Sequence, residues 1–164
     1  MAKLPSDAVL KKLYDLGVTD KELAEQYGVT VQAVNKRFHK LGLPRRPTIV
    51  RRVNEALGQR WDLNHSKGRH HHAKYAGKAL KAFLRRQLGD DELGPTERHR
   101  AQQWEARMQA GHEVLCYDPD TEDGWYYRAR RPEDGRMVID WPEDWPVQPD
   151  PEFREALELP VRER

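Results

Sequence analysis

The segment from Thr30 to Arg37 carries polar and basic side chains at helical spacing. An amide side chain can donate to and accept from an adenine edge, Lys and Arg suit guanine or phosphate, and a valine can contact a thymine methyl group. A helix here would place these side chains on its solvent face. We therefore predict base contacts from Thr30, Val31, Gln32, Asn35 and Lys36, with Arg37 holding phosphate. A solvated polar face of an ordinary helical hairpin is the alternative.

Basic side chains also recur further along the chain. Residues 44–47 are Pro-Arg-Arg-Pro. Further along, no acidic residue lies between Lys67 and Gln87, and on a helix the basic side chains of this segment would lie roughly opposite its apolar side chains. This pattern favours phosphate-facing surfaces, and solvated linker or helix faces are the alternatives. The predicted phosphate-binding residues, in addition to Arg37, are Lys21, Arg45, Arg46, Arg51, Arg52, Lys67, Lys74, Lys78, Lys81 and Arg85.

Three consecutive histidines, His70 to His72, follow His65. Imidazole is a common zinc ligand, but adjacent side chains on a helix point in different directions and Cys116 is the single cysteine. We therefore predict no metal and no cofactor. The turn before the basic helix is instead predicted to approach a DNA groove, with Arg69, His70 and His71 contacting bases. Solvated histidines without a special role are the alternative.

Acidic residues are frequent in the second half, but they lack the spacing of a catalytic or calcium site. In the segment from Asp118 to Gly124 the glycine is seventh where a calcium loop needs it sixth, and the twelfth position is Ala129. No carboxylate pair adjoins a candidate base, nucleophile or glycine-rich phosphate loop. The sequence therefore predicts a plain acidic turn and no enzymatic activity.

The charge of the chain is divided unevenly along its 164 residues. Residues 1–90 have 19 Lys and Arg against 8 Asp and Glu, whereas residues 91–164 have 10 against 19, so a net charge of +2 combines +11 with −9. This asymmetry predicts an anionic partner for the first half, double-stranded DNA before a membrane, with internal pairing of the halves as the alternative. We expect a cytoplasmic protein, because no long apolar run or secretory signal is present and one cysteine cannot form an intrachain disulfide.

Three short helices must position the side chains of the segment from Thr30 to Arg37. Small Ala24 allows two of them to approach closely, and Gly28 can adopt the left-handed conformation that a tight turn between them requires. This spacing is typical of a helix-turn-helix, whose second helix enters the major groove. The predicted caps and terminating glycines are Ser6 with Gly17, Thr19 with Gly28, and Thr30 with Gly42.

The rest of the chain is predicted to be helical with a small antiparallel sheet. Residues 1–43 form the helix-turn-helix domain, residues 44–59 a basic linker with a short helix, and residues 60–164 a second domain. The predicted fold class is α+β, mostly α. The expected elements after the linker are a helix within 66–88, a helix over 96–110, a strand over 113–117, and a hairpin of strands 125–130 and 136–141.

Several of these segments together resemble the immunity repressors of temperate mycobacteriophages and related actinobacterial phages. The resemblance covers most of the chain. It rests on Glu22 to Val34, on Trp61-Asp62 before the basic helix, on Tyr117-Asp118-Pro119, and on the Trp-Pro-Glu-Asp of residues 141–144. The helix-turn-helix part is common to many regulators, so the downstream segments carry the assignment. The histidine run departs from the family pattern, so base contacts of that domain are not transferred.

The resemblance implies a transcriptional repressor that maintains lysogeny and immunity to superinfection. Such repressors bind an operator and scattered asymmetric sites called stoperators, as monomers that pair a helix-turn-helix with a stoperator-type DNA-binding domain. No small-molecule substrate is implied. The alternatives are the DNA-binding portion of a recombination enzyme, such as a transposase or excision factor, and an interaction protein whose acidic half contacts polymerase.

Overall fold

The computed structural model describes residues 3–44, 48–63 and 70–161. The chain divides into two compact units, Met1–Pro47 and Thr48–Arg164. Within the described part, seven α-helices accompany one two-stranded antiparallel sheet. The predicted fold class, α+β and mostly α, is confirmed. No helix of the described residues is long and apolar enough to cross a membrane.

The first unit is a bundle of three helices around a small apolar core. They are α1 (Asp7–Asp15), α2 (Asp20–Tyr27) and α3 (Val31–Lys40). The apolar positions recur at helical spacing, so each helix buries one stripe against the other two. The buried side chains are Leu10, Leu23, Ala24, Val34 and Phe38.

The connection between α2 and α3 is fixed by local chemistry. Thr19 and Glu22 form a reciprocal capping box at the start of α2. Gly28, with φ of 63°, ends α2 in the left-handed conformation, and the Thr30 hydroxyl accepts from the Ala33 amide at 3.1 Å to begin α3. These caps set where α3 starts and hence which of its side chains face solvent.

The second unit packs helices on a two-stranded sheet. Its helices are α4 (Ile49–Arg60), α5 (Tyr75–Gln87), α6 (Pro95–Gly111) and α7 (Pro151–Ala156). Strands β1 (Glu113–Tyr117) and β2 (Trp125–Ala129) pair in antiparallel register. Fully buried Phe83, Trp104 and Phe153 come from α5, α6 and α7 and share one core.

The prediction that the helix within residues 44–59 belongs to a linker is wrong, because α4 is part of the second unit. Val53 and Leu57 are 1% and 0% exposed and join the core that contains Phe83 and Trp104. The helix continues through Gly58 to Arg60. Apolar side chains at i and i+4 on a short helix indicate a buried face, and this burial outweighs the helix-breaking tendency of glycine.

The predicted hairpin of residues 125–130 and 136–141 is also wrong. Residue Ile139 makes an isolated parallel bridge to Leu115, and Met137 bridges Glu158, so this segment runs beside β1 and not β2. A 3₁₀ turn at Pro132–Asp134 directs the chain there, and Asp134 is held by the Arg128 guanidinium at 2.7 Å. A side-chain ion pair therefore redirects a segment that the turn at residues 132–135 had indicated to be the second strand of a hairpin.

Candidate nucleic-acid interface

The outer face of α3 is exposed, and none of its side chains is acidic. Val31, Gln32 and Lys36 are exposed, while Val34 and Phe38 on the opposite side are buried. Thr30 is exposed as well, although its hydroxyl caps the helix. The helix thus presents an amide, an ammonium and an apolar group to solvent, which together match base edges and phosphate.

Two predicted contact residues of α3, Asn35 and Arg37, are less accessible to DNA than the exposed side chains. Asn35 is half-buried and lines a cleft of about 250 Å³ with Tyr14 and Phe38. The Arg37 guanidinium donates to Asp7 at 2.7 Å, with side-chain exposures of 37% and 57%. An exposed pair of this kind is weak, so a phosphate can compete for Arg37. Lys21, on α2, is exposed.

Sequence reasoning missed His39 and Lys40, which extend this exposed face. Both are exposed near the end of α3. At 100° per residue, His39 lies close to Gln32 and Lys40 close to Lys36 around the helix axis. The helical spacing of the sequence already contained this information. With His39 and Lys40 included, the basic surface of α3 is longer than predicted. Lys36 and Lys40 also line a shallow cleft of about 370 Å³ together with Lys3.

The second unit has its own cationic region, formed by two clefts. The first, termed the α4–α6 cleft, has a volume of about 420 Å³ and lies among α4, α5 and α6. The second, termed the Trp61 cleft, has a volume of about 380 Å³. Asn54 and Lys81 line both. The charged side chains of the α4–α6 cleft are Lys78, Lys81, Arg85, Glu97 and Arg100.

Arg100 and Asn54 are lining residues that sequence reasoning missed. Arg100 lies on α6, and Asn54 lies on α4. The run Arg98-His99-Arg100 was a basic signal in the sequence, but only the packing of α6 against α5 places Arg100 beside the α5 cations. No local pattern singles out Asn54.

The predicted uniform cationic stripe of α5 is wrong for Arg85. Its guanidinium donates to Asp90 at 2.7 Å and to Glu97 at 2.9 Å, and its side chain is 16% exposed. Lys74 lies 3.6 Å from the Asp123 carboxylate. The absence of acidic residues within the helix sequence was misleading, because carboxylates from other elements reach the same face. Lys78 and Lys81 remain without an ion pair among the described residues.

Arg51 and Arg52 of α4 are both paired with carboxylates. Arg51 donates to Glu55 at 2.8 Å in an exposed pair one turn apart. Arg52 donates to Glu152 of the short helix α7 at 3.1 Å. Exposed pairs contribute about 0 to 1 kcal/mol, so these arginines can still exchange a carboxylate for a phosphate.

The prediction that His71 contacts bases is wrong, because this side chain is 0% exposed. Its Nδ1 lies 2.7 Å from the Tyr117 hydroxyl, and its Nε2 lies 3.1 Å from the carbonyl oxygen of Glu122. The indole N–H of Trp125 donates to the His71 carbonyl at 2.8 Å. Both ring nitrogens are therefore engaged, and His71 fastens its turn to the sheet.

The neighbours of His71 are the histidines that face solvent. His70 and His72 are exposed on either side of the buried imidazole, with ring centroids 6.0 Å apart. His70 has φ of 54° and ψ of 44°, a left-handed conformation that few residues other than glycine adopt. A 3₁₀ turn at His71–Ala73 then leads into α5. Burial of the middle histidine thus orients the outer two outward.

Four predicted contact residues lie outside the described residues: Arg45, Arg46, Lys67 and Arg69. Their predicted roles stay predictions. Among residues 3–44, 48–63 and 70–161, no three His, Cys, Asp or Glu side chains are grouped as metal ligands would be.

The two units thus present separate polar and basic surfaces, on α3 and at the paired clefts. Comparison with known proteins adds no family: no family model matches the chain, and a search of curated proteins gives no significant match.

Proposed function

We propose that this chain is a sequence-specific double-stranded DNA-binding protein that acts as a transcriptional repressor. The exposed face of α3 carries this proposal: it joins Gln32, Lys36, His39 and Lys40 on a helix that follows a glycine-ended turn. A helix of this kind fits the major groove, with side chains of its first turns toward base edges. In this proposal Val31, Gln32 and Lys36 supply specificity by contacting base edges, and Lys40 adds affinity by contacting phosphate.

The second unit contributes a second DNA contact in this proposal. The support is the group of Lys78, Lys81 and Arg100 around the α4–α6 cleft, with exposed His70 and His72 on the turn before α5. Cations at such a surface neutralise phosphates without reading sequence, whereas imidazoles can donate to bases or to phosphates. Two contact surfaces on one chain would allow a monomer to bind a site without two-fold symmetry.

The resemblance to the immunity repressors of temperate mycobacteriophages extends the proposal to a biological role. Under it the protein maintains phage lysogeny and superinfection immunity by binding an operator and asymmetric stoperator sites. The same role places it in the cytoplasm of a bacterial host.

Gln32→Ala tests the specificity of α3 after a binding sequence has been selected from random duplexes with the full chain. We expect a loss of about 1 to 3 kcal/mol on the selected site and relaxed preference at one base pair, because the amide that recognises a base edge is removed. Lys40→Ala should instead weaken all sequences and reduce the salt slope by about one, because exposed Lys40 lies at the end of α3 and was predicted to contact no base. Quantitative binding assays on matched and mutated duplexes measure both.

Gln102→Ala is the matched control, since it removes an exposed glutamine from α6. We expect it to leave affinity and base preference as they are. Enrichment of no sequence by the wild-type chain, or equal losses for Gln32→Ala on all duplexes, would contradict base recognition by α3.

A further inference from the structure

One lysine of the second unit lies where the two clefts meet. Lys81 and Asn54 line both the α4–α6 cleft and the Trp61 cleft. The Lys81 side chain is half-buried, and none of its described neighbours forms an ion pair or a hydrogen bond with its ammonium group. By contrast, Arg85 one turn later has two carboxylate partners. Burial of a cation without a counterion costs free energy, so this position is ready to accept an anion.

The charged groups around Lys81 leave a positive local field. Among the described residues that line the α4–α6 cleft, the only carboxylate is Glu97, which accepts from Arg85 at 2.9 Å. The Trp61 cleft adds exposed Asp62 and His72. Burial lowers the pKa of the Lys81 ammonium. The remaining cations of the α4–α6 cleft are Lys78 and Arg100.

We propose that Lys81 is the anion anchor of the second unit: its ammonium binds one backbone phosphate between the two clefts, with the Asn54 side-chain amide as a second donor. This inference rests on the proposed function for its ligand, a DNA phosphodiester. The contact is independent of base sequence, because both donors address phosphate oxygens.

The anchor has a characteristic pH dependence. Only the protonated ammonium binds phosphate, so the contact is complete below the lowered pKa of Lys81 and is lost as the pH rises through it. A bound phosphate stabilises the charged form and raises that pKa toward its ordinary value.

Nuclear magnetic resonance of the full chain, labelled with ¹³C at lysine Cε, tests the anchor directly with inorganic phosphate as the probe. The Lys81 signal, assigned by its absence in Lys81→Arg, should titrate below the ordinary lysine pKa of about 10.4. Added phosphate should move its titration midpoint upward. A midpoint that does not change when phosphate is added would overturn the proposal. The measurement is made on the wild-type chain, so it does not depend on a variant of reduced stability.

Binding of duplex DNA provides the second measurement. Lys81→Met should weaken binding to every sequence by roughly fivefold to tenfold at moderate salt and lower the salt slope by about 0.9. Lys81→Arg should retain binding and remove the alkaline decline. Arg131→Met is the control, because it removes one exposed positive charge outside both clefts.

The two proposals fail in different ways. If phosphate raises the titration midpoint of Lys81 but the chain binds no DNA at low salt, the anion site is supported and the proposed function is rejected. Tight DNA binding with an unchanged salt slope in Lys81→Met would reject the anchor and retain the function.

Discussion

Gly124→Ala should destabilise the second unit by about 2 to 5 kcal/mol and displace the turn that carries the exposed histidines. A Cβ at this position would lie 2.5 Å from Nδ1 of His71 and 2.7 Å from Cε2 of Tyr117. The φ of 75° adds strain for any residue with a side chain. Left-handed backbone costs about 1 to 2 kcal/mol, and overpacking of a core about 1 to 3 kcal/mol. Chemical denaturation monitored by tryptophan fluorescence measures the loss.

Gly89→Ala is the matched control for backbone strain. Its φ is 77°, but a Cβ there meets no atom within 4 Å. We expect a loss of about 1 to 2 kcal/mol from this variant, because only the strain is present. Equal losses at Gly89 and Gly124 would contradict the close packing of Gly124 on His71.

Arg128→Met should destabilise the second unit by about 2 to 4 kcal/mol at neutral pH. The Arg128 guanidinium donates to both carboxylate oxygens of Asp134 at 2.7 Å and to Asp140 at 2.9 Å. Side-chain exposures are 17% for Arg128 and 11% for Asp134. Removal of one partner from a fully buried pair costs about 3 to 5 kcal/mol, and the second partner of Asp140, Arg60, reduces this cost.

The same pair predicts how stability depends on acid. The hydrogen bonds from Arg128 lower the pKa of Asp134. The stabilisation is therefore complete above the ordinary aspartate pKa of about 3.9 and is lost as the pH falls through the lowered value in the folded state. Thermal unfolding from pH 7 to pH 2 should show the wild type and Arg128→Met converging in acid.

Arg51→Met controls for loss of an exposed ion pair. The Arg51 and Glu55 side chains are 71% and 58% exposed, so we expect a change of at most about 0.5 kcal/mol. A loss in Arg128→Met no larger than this, or one that is independent of pH, would contradict the role of Arg128 in fixing the segment after β2.

The first unit was predictable from the sequence because its determinants are local. Thr19 and Thr30 act on amide groups three residues away, and Gly28 supplies the left-handed turn between two short apolar stripes. Helix periodicity and capping extend over a few residues, so a single sequence contains them. The exposed face of α3 follows from the same spacing.

The second unit was predicted less well because its determinants are distant in the sequence. His71 is buried by Tyr117 and Glu122, which are 46 and 51 residues further along the chain. Arg85, which was predicted to bind phosphate, is instead paired with Asp90 and Glu97, which follow α5 in the sequence. No periodicity within a helix contains such partners.

The candidate site in the second unit shows the same limit. The cations of α5 were visible as a charged stripe, but the clefts depend on the packing of α4 and α6 against it. Asn54 and Arg100 came into the site only through this packing. The assignment of α4 to a linker failed for the same reason, since Val53 and Leu57 meet their core partners only in the folded unit.

We propose that one chain binds an asymmetric DNA site through two surfaces, on α3 and at the paired clefts. Hydroxyl-radical footprinting of the full chain on a selected duplex, combined with sedimentation analysis of the complex, tests it most directly. We predict one chain per duplex and two separate protected groove faces without two-fold symmetry. In Lys81→Met one of these faces should lose protection before the other. Two chains on a symmetric site, or protection of a single groove face that Lys81→Met leaves intact, would contradict the account.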